Sequence, residues 1–245
     1  MSLYAIGDLH LHFQTELKAL TQLRDPVWKN HEAIFKENCA MIRPSDTLVL
    51  AGDHSWGRNL AECAEDLDYI AALPGRKILL RGNHDMFWDV KKTDALNRQF
   101  DGRLFFLQNN YAAYEDYAIV GTKGYTFEGP FYVRGGKIQG WDQEEEARAQ
   151  QLILREAERL ETSFRVAEKD GYSKFIMFLH YPPTSILERN SVFTAMAEKY
   201  GAEQVIYAHC HGEERFHDSL AGRHHGIRYS LVSGDYLRWV PMKVL

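Results

Sequence analysis

What most limits the folds open to this chain is a set of short apolar runs, each ending almost at once in residues able to bind cations or carry protons. Leu3 to Gly7 leads into Asp8-Leu9-His10, and Thr47 to Ala51 into Gly52-Asp53. Just beyond Lys77 to Leu80 stand Gly82-Asn83-His84-Asp85. Phe175 to Leu179 leads into His180, and Val205 to Ala208 into His209-Cys210-His211. Runs this short, bounded by glycine and polar residues, are predicted to be buried strands. Ligand-type residues gathered at strand ends predict a site along one edge of an α/β sheet.

Helical patterns lie between the runs. Leu60, Cys63, Ala64, Leu67, Ile70 and Ala71 recur at three- and four-residue steps before Pro74-Gly75, as an amphipathic helix requires. A second helix is predicted from Asp142, its N-cap, with Glu145 three residues on, to Lys169. It carries Ile153, Ala157, Leu160 and Phe164 on one stripe and stops at Gly171. A third runs from Ser191 to Tyr200, with Gly201 as C-cap. Leu104 to Leu107, Ala112 to Tyr114 and Ala118 to Gly121 read as antiparallel strands, and the stretch from Ile227 to Leu245 supplies more strand candidates. Lys123 to Gln139 is a loop-like insertion rich in glycine and aromatics. No repeat, low-complexity tract or linker divides the chain, so residues 1–245 are expected to form one domain.

Composition narrows the function classes. With 245 residues, 45% of them hydrophobic, the chain can bury a large core and needs no disulfide framework. Lys+Arg 29 against Asp+Glu 34 leaves a net charge of -5, without the basic excess that draws long nucleic acids. Cys39, Cys63 and Cys210 lack the spacing of a zinc or redox motif and are expected to be reduced thiols. No export signal or membrane-length apolar segment is read, so a cytoplasmic location is expected.

Asp8, His10, Asp53, Asn83, His180, His209 and His211 make seven candidate ligands, more than one four- to six-coordinate metal can use. A shared carboxylate would let them serve two cations. Two such cations can clamp a phosphoryl group, lower the pKa of a water between them and stabilise the entering and leaving oxygens.

The ordered set Asp-x-His, Gly-Asp, Gly-Asn-His-Asp, His and x-His-x-His, spanning Asp8 to His211, resembles the calcineurin-like metallophosphoesterase family, in particular bacterial cytoplasmic members of unassigned substrate. The resemblance implies a four-layer α/β/β/α sandwich of two mixed sheets flanked by helices. It implies Asp8, His10 and His211 as ligands of one metal, Asn83, His180 and His209 as ligands of a second, and Asp53 bridging. It also implies His84 as the proton donor to the leaving group, with Asp85 orienting it. The reaction implied is direct hydrolysis of a phosphate mono- or diester by a metal-bridging hydroxide, with Mn or Fe favoured and Zn, Ni or Co alternatives. One departure stands out: Ala208 occupies the position before the final His-x-His where the family has glycine, and tolerance is expected.

Outside that set, His12, His31, His54, His217, His224 and His225 read as surface or hydrogen-bonded core residues, with His12 and His54 placed to bond to the site's ligands. Cys210 should point away from its histidine neighbours. Tyr125, Phe127, Phe131, Tyr132 and Trp141 either pack on their own domain or cap a pocket. Arg58, and with less support Arg81, are candidate phosphate ligands. A small phosphoester, nucleotide-like in type, is the expected substrate, with a phosphoprotein as alternative, and a metal-binding scaffold is the rival to an enzyme. No Gly-x-Ser-x-Gly elbow or Gly-x-x-x-x-Gly-Lys loop points to a serine hydrolase or a nucleotide kinase. The sequence does not indicate oligomeric state.

Overall fold

The structure, a computed structural model, describes residues 1–15, 25–127, 131–134, 137–140 and 143–245. Along the chain the strands are β1 (Leu3–Ile6), β2 (Thr47–Leu50), β3 (Arg76–Leu80), β4 (Phe105–Leu107), β5 (Ala112–Tyr114) and β6 (Tyr117–Thr122). They continue with β7 (Phe131–Arg134), β8 (Lys137–Gly140), β9 (Lys174–Leu179), β10 (Ala202–Tyr207), β11 (Gly222–His224), β12 (Ile227–Leu231) and β13 (Met242–Lys243). One sheet has the order β13-β1-β2-β3-β4 and the other β11-β12-β10-β9-β6-β5. The interior strands of each are parallel, and antiparallel pairing is confined to β13, β11 and β5 at the edges, so Leu104 to Leu107, expected to be antiparallel, pairs parallel with β3, and β6 is antiparallel only toward β5. The expected insertion contains the separate hairpin β7-β8.

Period-two alternation sends each strand's side chains to two different cores. Leu3 and Ala5 of β1, Ile78 and Leu80 of β3, Ile176 and Phe178 of β9, and Ile206 of β10 share one core, so the two sheets face each other. Tyr4, Ile6 and Leu79 point the other way, onto helices α1 (His31–Asn38), α2 (Ala64–Ala72) and α3 (Thr93–Phe100). Phe175, Met177 and Val205 do the same toward α4 (Gln143–Lys169) and α5 (Val192–Tyr200). Three stacked cores make a four-layer α/β/β/α sandwich.

The long helices follow the sequence pattern. Ala157, Leu160 and Phe164 of α4 are buried, and α5 opens on a Ser191/Thr194 capping box and ends at Gly201, φ 64°. Asp142, the expected N-cap of α4, lies outside the described residues. The start of α2 falls later than the apolar spacing predicts. Asn59 Oδ1 accepts from the N–H groups of Ala61 and Glu62 instead, holding that segment in a turn. Helices α1 and α3 were not predicted, since each buries only a few side chains, Phe35 in one and Leu96 and Phe100 in the other.

Parallel register brings the strand ends level: Ile6 lies opposite Leu50, and Leu50 opposite Leu79. The loops beyond them pack with no room to spare. A Cβ on Gly82 would lie 2.1 Å from Asp53 Oδ1, and one on Gly52, φ 98°, would lie 2.4 Å from His180 Nδ1. Gly82→Ala is therefore expected to destabilise the fold by about 1–3 kcal/mol and to impair metal uptake, as measured by denaturant unfolding and metal analysis. Gly102→Ala, whose added methyl meets nothing within 4 Å, should leave metal uptake intact.

Candidate metal centre

Five strand-end loops supply the site: those after β1 (Asp8, His10), β2 (Asp53), β3 (Asn83, His84), β9 (His180) and β10 (His209, His211). Two groups form, Asp8 with His10 and His211, and Asp53 with His180 and His209, each with its ligand atoms within 4.8 Å of one another. Asp53 Oδ2 lies 3.4 Å from His180 Nε2 in its own group and 3.7 Å from His10 Nε2 in the other. Asn83 joins the second group, its Oδ1 2.7 Å from His180 Nε2. His10 Nε2 and His211 Nε2 face each other at 3.3 Å.

Several of these contacts leave lone pairs pointed at lone pairs, which a cation relieves. The His180 ring has acceptors on both sides, Ala51 O at 3.0 Å from Nδ1 and Asn83 Oδ1 at Nε2. With Nδ1–H donated to Ala51, Nε2 is free for a metal. His211 Nδ1 likewise faces Asp235 Oδ1 at 3.2 Å, turning Nε2 inward. Asp8 Oδ1 is buried and has no hydrogen-bond partner, an expensive state for a carboxylate oxygen unless a cation meets it. Mixed imidazole, carboxylate and carboxamide donors suit first-row divalent metals.

The electrostatics agree. Burial raises the Asp8 carboxyl and keeps His10 and His209 neutral, well below the usual imidazole range. Burial opposes charge on His180 too, but the Asp53 and Asp8 carboxylates outweigh it and hold its pKa up to about 9. Burial would raise Asp53, yet the rings of His180, His10 and His84 keep it well below the carboxylate range.

The loops are locked by backbone bonds to the acidic side chains. His209 N–H donates to Asp8 Oδ2 at 2.9 Å, tying the two sheets' loops together. His84 N–H donates to Asp53 Oδ1 at 2.8 Å. Asp8, His10, Asp53 and His209 all have positive φ, at 61°, 47°, 54° and 72°, strain of the kind that surrounding contacts must hold in place at functional sites.

Asp85 needs a correction. It was expected to orient the His84 ring, but its oxygens accept from the N–H groups of Asp53, His54 and Gly82 at 2.7–2.9 Å. A buried carboxylate satisfied three times by backbone fixes loops. The ring packed on His84 is Trp56, at a centroid distance of 4.1 Å, and Trp56 also stacks on His10 at 4.9 Å. The His84 side chain is 37% exposed, with Nε2 4.0 Å from Asp53 Oδ2.

Arg58 is exposed on the turn before α2, where its backbone N–H is held by Glu62, and no described contact joins it to the ligands. Arg81 donates from Nε to Trp88 O. His12 Nδ1 lies 3.1 Å from the carbonyl of His10, and His54 Nε2 2.9 Å from Leu80 O. Cys210 is buried in the core of the second sheet's outer face. The methyl of Ala208 rests against Gly7, where any added Cβ would lie 2.6 Å from it. Phe127 packs on Phe193 and Tyr125 on Tyr181; the side chains of Phe131, Tyr132 and Trp141 lie outside the described residues.

Sequence reading missed Asp235, Trp28 and Trp56. Asp235 had a signal: Gly234-Asp235 follows β12 as Gly52-Asp53 follows β2. Trp28, 5.3 Å from the His211 ring and 5.7 Å from His10, had none, because it arrives from a separate turn. Asp235→Asn should lower metal affinity by about 10–100-fold, read by titration of the metal-free protein. Metal uptake at neutral pH should release protons, because His180 must lose one to ligate, and affinity should fall as pH is lowered. Calorimetry in buffers of different ionisation enthalpy measures both.

The model of the calcineurin-like phosphoesterase family matches residues 1–213. No curated protein matches the chain in sequence. Among solved structures, a protein of unknown function from Aquifex aeolicus is 18% identical, with a TM-score of 0.52 over 99% of this chain and 95% of that one. The calcineurin-like phosphoesterase YfkN from Bacillus subtilis is 17% identical, with a TM-score of 0.48 over 96% of this chain and 82% of that one. With a family model that matches residues 1–213, most of its length, the chain belongs to the calcineurin-like phosphoesterases.

Proposed function

We propose that this protein is a dinuclear-metal-dependent hydrolase of phosphate mono- or diesters, acting on a small, nucleotide-like substrate. The observation that carries the reading is the position of Asp53, whose Oδ2 is within 3.7 Å of a ring nitrogen in each ligand group. Asp8, His10 and His211 would hold one cation, Asn83, His180 and His209 the other, with Asp53 shared. When bound, the cations supply Lewis-acid polarisation of the phosphoryl group and acidify a water; Mn or Fe is the favoured pair.

The protein's own residues supply the rest. Water adds its oxygen to phosphorus and yields a proton to solvent, the ester P–O bond breaks, and the departing oxygen takes a proton from the His84 ring, which recovers one from solvent. Asp53 holds His84 through the backbone, and Trp56 limits the ring's tilt. Trp28, only 6% exposed, walls the first ligand group from bulk water. The net charge of -5 favours a small substrate over long nucleic acid.

Metal-loaded protein should hydrolyse p-nitrophenyl phosphate, its bis-ester, or both, and a chelator should abolish the activity. His84→Ala should cut turnover by about 10²–10⁴ with metal content unchanged. Undiminished turnover in that variant would remove His84 from the mechanism, and a protein that takes up metal but hydrolyses nothing would favour a metal-binding scaffold.

A further inference from the structure

The first ligand group is backed by a cluster of rings, Trp28, His31 and Trp239, gathered from distant parts of the chain. The His31 ring of α1, 2% exposed, is set between two carbonyl oxygens, Leu9 O at 2.7 Å from Nε2 and Trp28 O at 2.9 Å from Nδ1. Leu9 stands between the ligands Asp8 and His10, and the Trp28 ring lies 5.7 Å from His10 and 5.3 Å from His211. Trp239 closes the cluster. Its buried ring lies 4.9 Å from Trp28 and 4.6 Å from His31, and its Nε1–H donates to Val27 O at 2.7 Å.

Trp239 ends a run of turns that begins at Ser233, beyond the residues matched by the family model. Leu237 N–H donates to Ser233 O at 3.0 Å and Trp239 N–H to Gly234 O at 2.9 Å. A Cβ at Gly234 would run into the Trp239 ring, so the turns close this tightly only around glycine. Arg238 and Trp239 have φ 49° and 64°, unfavourable for residues with a Cβ and kept only where other contacts hold them. Such a contact comes from α1, where Asn38 Nδ2 donates to Trp239 O at 3.1 Å. Asp235, in the same segment, lies 3.2 Å from His211 Nδ1 and accepts from Gly212 N–H at 3.0 Å. The segment thus reaches the first ligand group twice, directly at His211 and, through Trp239, at Trp28 and the loop of Asp8 and His10. Among the described residues, the ring contacts of His180 and His209 in the second group are with each other and with Tyr181.

We infer that Trp239 and His31 are positioning residues for the first ligand group, acting through Trp28 and Leu9, so that uptake of one cation depends on the C-terminal segment and uptake of the other does not. Ligand side chains bind well only when the groups behind them fix their place, and partners of this kind are worth about 10–100-fold in metal affinity. Here the strained loop of Asp8 and His10 is held from behind by the His31 bond to Leu9 O, and that ring is held in turn by Trp239. The inference rests on the two-cation reading above and adds which part of the chain builds one half of the site.

The test titrates zinc into the metal-free, full-length protein, followed by calorimetry and by NMR of the histidine rings, in wild type, Trp239→Leu, Trp239→Phe, His31→Leu and Val240→Ala. His10 and His211 report on the first group, His180 and His209 on the second. Trp239→Leu and His31→Leu should weaken uptake at the first group by about tenfold or more and leave the second unchanged. Trp239→Phe, which keeps a ring but loses the bond to Val27 O, should recover part of the loss. Val240→Ala, at the exposed residue next along the chain, should change neither group. No loss at the first group, or equal loss at both, overturns the positioning role. Should Trp239→Leu fail to fold, Trp239→Phe and His31→Leu make the same comparison. If the wild type takes up fewer than two zinc ions, the two-cation reading fails. The positioning role is then judged on metal-free protein, where Trp239→Phe should shift the His10 and His211 ring resonances and spare those of His180 and His209; unshifted resonances overturn it.

Discussion

Two carboxylates, Asp8 and Asp53, are almost wholly buried where the edges of the two sheets meet, 0% and 1% exposed, and the rest of the site is organised around satisfying them. A buried charge of this kind is tolerated only if opposite charge or donors converge on it. Partners come from both sheets: His84 N–H donates to Asp53 and His209 N–H to Asp8, while the His180 ring lies 3.4 Å from Asp53 Oδ2 and the His211 ring 3.7 Å from Asp8 Oδ1. Because Asp8 belongs to the first sheet and His209 to the second, their bond joins the layers at the point where metal would sit. The positive φ angles at four of the ligand residues are held by hydrogen bonds of their own amides: Asp8 N–H to Gly52 O, His10 N–H to Asp53 O, Asp53 N–H to Asp85 Oδ2 and His209 N–H to Asp8 Oδ2.

The two ligand groups have different surroundings. The first is walled by Trp28 and Trp56, apolar rings packed on His10 and His211. The second is bordered by Tyr181 and, beyond it, Lys123. A dry wall on one side strengthens electrostatic interactions with anything held there. The His84 side chain is partly exposed, as the proton-donor role proposed for it requires.

Much of this was legible one residue at a time. The strand ends were marked because Asp, Asn and His are poor termini for apolar runs unless something satisfies them, and the ligand set comes from those termini. Helices α4 and α5 were legible from periodicity, a capping serine and a C-terminal glycine. The short helices α1 and α3 were not, since eight residues burying two side chains in one helix and three in the other leave too little pattern. Asp85 was misread for a different reason: adjacency to His84 suggested a side-chain pair, whereas the loop turns its carboxylate back onto three amides.

What the sequence determined by itself is local chemistry and periodicity: which runs become strands, where they stop, and which donor types stand at each end. Only the tertiary structure decided which of those ends meet. Asp53 lies between the groups because parallel register sets β2 level with β1 and β3, and because the second sheet packs face to face on the first. Trp28, Trp56 and Asp235 reach the site through side-chain direction and loop closure. Those depend on long-range packing, and spacing along the chain carries no record of them.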